Sequence, residues 1–285
     1  MLITQPYDHP ELIPAGKIQT ITLTMEAYPD KRQRRILVWT PEDYDGVKRL
    51  PVIYMHDGQG VFACGDGRNK LEMDRAVMAL AGEGLSAIVV AIDTAETRGT
   101  ELTPPYPRRQ AGADVNGHRL PLIEDASTTP LYGEFIVKQV KPLIDAEFAT
   151  LPDAAHTTIG GISAGGSASY YLFLRYPEVF GRAIVCSPGF PMFRPNALLE
   201  ELDGYDFVRL ADHRIAFFNG DQGIDVTSVD DVLAVYRKFK AKGMDRRQAM
   251  FLFDSRQTHN EAAWAKYMPE ILRFLMKEDN SEAGF

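Results

Sequence analysis

Short apolar runs recur along the 285 residues, separated by longer amphipathic stretches. Runs such as Ala87-Ile88-Val89-Val90-Ala91-Ile92 show no polar alternation, the pattern of parallel strands covered on both faces. Eight runs are predicted as strands, at 18–25, 35–40, 51–56, 87–92, 157–161, 182–186, 215–219 and 249–253. The first two lie close enough to pair antiparallel, whereas the later ones are separated by segments long enough for crossover helices. Helical spacing predicts helices over 71–81, 131–148, 168–176, 229–242 and 261–276. Thr227 or Ser228 is placed to cap the fourth and Gly243 to end it. Pro269 is expected to break or kink the last into two shorter pieces. The pattern predicts an α/β fold over residues 1–285 as a single domain, with an eight-stranded, mostly parallel sheet and helices on both faces. The longest stretch without periodicity, 94–127, is rich in Gly, Pro and Arg and is a candidate wall or lid of a site.

One turn carries chemistry. Gly161-Ile162-Ser163-Ala164-Gly165 falls between a predicted strand and a helix-like segment, the context of a nucleophile elbow. A serine there is forced into a strained conformation and projects its hydroxyl, and small residues two before and two after let neighbouring backbone pass. Ala164 then offers its N–H at a helix N-terminus as half of an oxyanion hole. A serine hydroxyl needs a base. Of six histidines, His259 alone follows the last strand and precedes the closing helix, on the same sheet edge as Ser163. A carboxylate should follow the penultimate strand, where Asp221 and Asp225 are both in reach, with Asp225 preferred for its longer loop. The loop after the third strand, Asp57-Gly58-Gln59-Gly60, offers the N–H of Gly58 or Gln59 to the same oxygen, with His56 as structural support rather than a second base.

The formal net charge of −8 excludes a surface built for nucleic acid or anionic membrane, and the basic cluster Lys31, Arg32, Arg34 and Arg35 is expected to be a solvated strand end. About 18 consecutive apolar residues, the length of a membrane helix, occur nowhere. The N-terminus lacks a basic and apolar leader pattern, so a cytoplasmic location is expected. Cys64 and Cys186 fit buried free thiols in a reduced compartment. HExxH, Walker and GxGxxG patterns are missing, so neither a metal nor an organic cofactor is expected. No signal bears on oligomeric state.

Together with Tyr54-Met55-His56-Asp57-Gly58-Gln59, Ile92-Asp93 followed by Glu101-Leu102-Thr103-Pro104, and His259-Asn260-Glu261-Ala262-Ala263-Trp264, the extended elbow Gly160 to Gly166 makes the chain resemble the putative esterase family of α/β-hydrolases, which includes esterase D, feruloyl esterases and enterochelin esterases. The likeness runs over about 18–274. It implies hydrolysis of a small carboxylic ester through an acyl-serine, with Ser163 as nucleophile and His259 as base. The family position for the acid falls at Gly223, so here the acid comes from a neighbour. Transfer of the acyl group to an alcohol, as in the related mycolyltransferases, and a catalytically silent binding protein are the alternatives. Arg98, Arg108 and Arg109 could meet catecholate oxygens of a siderophore, or simply be solvated.

Overall fold

All eight predicted runs are strands, and the unbroken apolar ones lie in the middle of the sheet. The computed structural model describes residues 4–6, 15–62, 70–94, 97–110, 112–120 and 126–277. In chain order come β1 (Thr4–Pro6), β2 (Lys17–Thr24), β3 (Gln33–Thr40), β4 (Val52–His56), α1 (Met73–Met78) and β5 (Ile88–Ile92). After α2 (Arg98–Glu101), β6 (Asp114–Val115) and β7 (His118–Arg119) form a small separate hairpin. Next are α3 (Thr129–Phe135), α4 (Lys141–Glu147), β8 (Thr157–Ile162), α5 (Ala164–Arg175), β9 (Arg182–Cys186) and α6 (Ala197–Gly204). The chain continues through β10 (Arg214–Gln222), α7 (Val229–Ala241), β11 (Ala249–Thr258) and α8 (Glu261–Met276).

The main sheet runs β1-β2-β3-β5-β4-β8-β9-β10-β11. β2 pairs antiparallel with β3, as the short connection predicts, and β3 with β5. From β5 to β11 every neighbour is parallel. The three-residue β1 adds a ninth strand at one edge, too short to leave a periodic signal. Both faces are covered. Ile36 and Val38 join a core with α3, α5 and α7, while Leu37 and Trp39 join one with α1 and α8, the alternation expected of a pleated strand. All five residues of β5 are buried, and its four Ile and Val side chains contribute about 1.5–3 kcal/mol each. Because all the parallel strands point the same way, the loops at their C-terminal ends converge on one edge.

Three local expectations are corrected. α8 is continuous through Pro269 rather than two pieces. Only one ladder hydrogen bond is forfeited there, while Trp264, Met268, Ile271, Leu272 and Leu275, on both sides of the proline, bury against the sheet and α1. The predicted helix 131–148 contains a π turn at Ile136–Val140, just before Pro142, whose ring would strike the carbonyl of Lys138 in an unbroken α-helix. The basic cluster is not wholly solvated: strand alternation turns Arg34 inward, where it is 3% exposed and bonds Glu101 at 2.6 Å and the carbonyl of Asp93 at 2.5 Å. Glu101 is itself fully buried, so this pair ties α2, and with it the start of the segment 94–127, to β3. No helix among the described residues is long and apolar enough to cross a membrane. Cys186 is buried, which pushes its thiol above the ordinary range, and Cys64 lies outside the described residues.

Candidate active site

β8 ends in a turn that holds Ser163 at φ 57°, ψ −125°, and α5 begins at the next residue. Such a backbone costs about 1–3 kcal/mol and persists only where the surroundings impose it. Here they do. Ser163 N–H donates to Cys186 O at 2.9 Å, and its own carbonyl accepts from Ser167 and Gly189, both at 3.2 Å. A side chain on Gly161 would come within 2.5 Å of the Gly165 carbonyl carbon, so the turn closes only with glycine at that position.

Three predicted residues meet at the converging strand ends. Ser163 Oγ lies 2.9 Å from His259 Nε2, and His259 Nδ1 lies 2.6 Å from Asp225 Oδ1. An ionised carboxylate only accepts, so Nδ1 carries the proton and Nε2 presents a lone pair to the serine hydroxyl. Asp225, in the 3-10 turn Gly223–Thr227, has a fully buried side chain. Its Oδ2 accepts from the N–H of Gly220 at 3.2 Å and the hydroxyl of Ser187 at 3.0 Å. Gly220 admits nothing larger, since a Cβ there would sit 2.9 Å from that same oxygen and 2.3 Å from Gln257 O. Asp221, the other candidate, accepts from the adjacent Gln222 side chain and does not join the group.

Ser228 stands at the N-cap position of α7 but makes no side-chain cap bond. Its hydroxyl lies instead 2.9 Å from Asn219 Oδ1 and 3.0 Å from Asp225 O, and Asn219 Nδ2 donates to Asp225 O at 3.1 Å. The Thr227 hydroxyl donates to Ile224 O. Both hydroxyls therefore brace the turn carrying Asp225 rather than the helix end. Ser187, Asn219 and Trp264 received no role from sequence. Their only signal was position: Ser187 and Asn219 at strand ends, Trp264 within the quoted motif after His259.

Gly58 and Gln59 open a 3-10 turn, Gly58–Gly60, immediately after β4 and Asp57. Their N–H groups, like that of Ala164 in α5, belong to first-turn positions without intrahelical acceptors. The turn and the elbow are in contact, because a Cβ on Gly165 would lie 3.4 Å from His56 Cβ and 3.5 Å from Asp57 Oδ2. Asp57 is held by Arg98 through two bonds of 2.8 and 2.9 Å and by Thr94 at 2.5 Å. Arg109 donates to the Pro191 carbonyl. A cleft of about 570 Å³ adjoins the elbow, lined by Gln59, Leu71, Arg98, Ile162 and Glu261 among others. Among the described residues, no three His, Cys, Asp or Glu side chains are gathered as a metal would require.

His56 also lines the cleft, yet it is only 2% exposed and its Nδ1 lies 3.0 Å from the Tyr132 hydroxyl. Burial lowers its pKa from 6.5 to about 4, outweighing the pull of Asp57. The imidazole is thus neutral and structural near pH 7. The unfolded chain binds a proton below pH 6.5 that the folded chain refuses until about pH 4, so stability is full above 6.5 and falls across that window. Wild type is expected to lose about 3 kcal/mol more than His56→Gln between pH 7 and 4 in urea unfolding; equal losses would contradict this assignment.

A model of the family described as "putative esterase" matches residues 29–275. The Bacillus subtilis (strain 168) protein named "Uncharacterized protein YjcH" is 27% identical over 160 residues, covering 54% of this chain and 55% of that protein. The chain thus spans about half the length of this curated relative. The siderophore hydrolase EstA from Aspergillus nidulans superposes with a TM-score of 0.69 at 15% identity, over 95% of this chain and 97% of that one. The enterobactin esterase FES from Shigella flexneri, in the presence of enterobactin, gives 0.67 at 19%, over 95% and 60%. A ferulic acid esterase gives 0.64 at 16%, over 93% and 98%. At these identities the structural likeness establishes the α/β-hydrolase fold.

Proposed function

Since the chain belongs to the putative esterase family, we propose that it hydrolyses a small carboxylic ester through an acyl-serine. The observation that carries this reading is the unbroken hydrogen-bonded series from Ser163 through His259 to Asp225, with the serine held in strained backbone at the head of α5. Ser163 Oγ attacks the ester carbonyl as His259 Nε2 takes its proton, and Asp225 holds the resulting imidazolium without accepting that proton. The carbonyl oxygen, now negative, is met by the N–H of Ala164 and that of Gly58 or Gln59. Each such donor is worth about 100- to 1,000-fold in rate. Collapse breaks the bond to the alkoxy oxygen, which leaves as alcohol with the proton from His259. Water, deprotonated by the same nitrogen, then releases the acid and restores Ser163. The adjoining cleft takes one part of the ester. Enterobactin, siderophore and ferulic acid appear in the names of the structural neighbours, and esters of aromatic acids are the substrate class to screen first.

Intact-mass analysis after incubation with a fluorophosphonate tests the reading. A single adduct on wild type and none on Ser163→Ala supports it; an unlabelled, folded wild type that leaves p-nitrophenyl acetate intact overturns it.

A further inference from the structure

Ser187 follows β9 directly and adopts φ 41°, a conformation that glycine or asparagine would occupy at lower cost. It is 1% exposed, and its N–H donates to Phe218 O at 2.7 Å, tying the β9 end to β10. Its hydroxyl stands between two partners: Trp264 Nε1 at 2.9 Å and Asp225 Oδ2 at 3.0 Å. An indole N–H can only donate. Ser187 Oγ therefore accepts from Trp264, and its single proton is left for the carboxylate. The order of donors runs one way, from Trp264 to Ser187 to Asp225, so each bond polarises the next.

We infer that Ser187 and Trp264 are positioning residues for the pair Asp225–His259. The carboxylate is held by three groups in two directions, with His259 on Oδ1 and with Gly220 and Ser187 on Oδ2, so it cannot turn about its own axis without losing a bond. Trp264 acts a second time, because its ring meets the imidazole edge-on, with centroids 4.9 Å apart and planes at 84°. That ring is itself fixed in the first turn of α8, where the Asn260 side chain accepts from Ala263 N–H at 2.9 Å. One tryptophan thus limits rotation of the base and, through a serine, orients the acid. The inference rests on the roles proposed above for Ser163, His259 and Asp225. The charged groups to consider around His259 are Asp225 and, two residues along the chain, Glu261, which lines the adjoining cleft.

The test compares wild type with Ser187→Ala, Trp264→Phe and the double variant. It reads the His259 Nδ1–H resonance by NMR, kcat and KM on p-nitrophenyl acetate, and fluorophosphonate labelling. Ser187→Ala is expected to lower kcat about 10- to 100-fold, as loss of a hydrogen bond to a charged group does, with KM unchanged because neither residue touches substrate. Trp264→Phe keeps an aromatic ring and removes only the donor, so it should fall in the same direction by less. The double variant should be no worse than Ser187→Ala alone, since the indole then has nothing to orient. The His259 Nδ1–H resonance should move in Ser187→Ala, because the carboxylate loses one of the donors that fix its orientation toward Nδ1. An unmoved resonance with kcat within about twofold of wild type would overturn the inference, whatever the loss of thermal stability. Should Ser187→Ala fail to fold, Trp264→Phe carries the same two readouts. An unlabelled, inactive wild type whose His259 Nδ1–H resonance still moves on Ser187→Ala would sink the hydrolase reading while leaving the positioning chain in place.

Discussion

Ser163→Ala is expected to lower kcat on an aryl acetate by about 10⁴- to 10⁶-fold, the loss seen when a serine hydrolase is left with only its oxyanion donors and binding contacts. The variant should fold normally. Alanine has the same Cβ as serine and meets the same strain at φ 57°, and the elbow is held by backbone bonds from Ser163, Ser167 and Gly189 that do not involve the hydroxyl. Among the described residues the hydroxyl itself has one partner, His259 Nε2, so its removal deletes the proposed nucleophile and little else. Turnover measured beside circular dichroism checks this; a folded variant within about tenfold of wild type would remove Ser163 from the reaction.

Asp225→Asn is expected to cost about 10⁴-fold in kcat with the fold intact. The size follows from which way the amide must face. Two donors, Gly220 N–H and the Ser187 hydroxyl, converge on Oδ2 and select the amide oxygen for that site. The NH₂ group is then turned toward His259 Nδ1, 2.6 Å away in wild type, and two donors cannot share that contact. The imidazole responds by moving its proton to Nε2, which on the proposed mechanism can then no longer receive one from Ser163. Asp221→Asn, which alters a side chain bonded among the described residues only to its neighbour Gln222, should leave kcat within about twofold. Equal losses in the two variants, or none in Asp225→Asn, would contradict the assignment of the acid.

The sequence made some of this plain and concealed the rest for physical reasons. Unbroken apolar runs identify buried parallel strands, and strand order then predicts that residues just past their C-terminal ends share an edge, which is how Ser163 and His259 could be paired across 96 residues. The choice between Asp221 and Asp225 depends on how tightly the turn after β10 folds back. That is fixed by a left-handed Gly223 at φ 59° and by the close approach at Gly220, neither of which has a periodic signature. Ser187 was invisible because its partners lie 38 and 77 residues away and its own neighbours suggest an ordinary Ser-Pro-Gly turn. Pro269 and Arg34 show a general limit of local rules. Propensity forbids one and polarity the other, yet burial of α8 and the ion pair with Glu101 outweigh both preferences.

β11 is the outermost strand on its side of the sheet and takes ladder bonds from β10 alone among the described residues. His259 hangs from its end, whereas Ser163 follows an interior strand with neighbours on both sides. The two halves of the proposed proton transfer therefore belong to regions of unequal local stability. Fraying of one rim would separate His259 from Ser163 while most of the sheet persists, so the free energy that governs their contact is that of a local opening rather than of global unfolding.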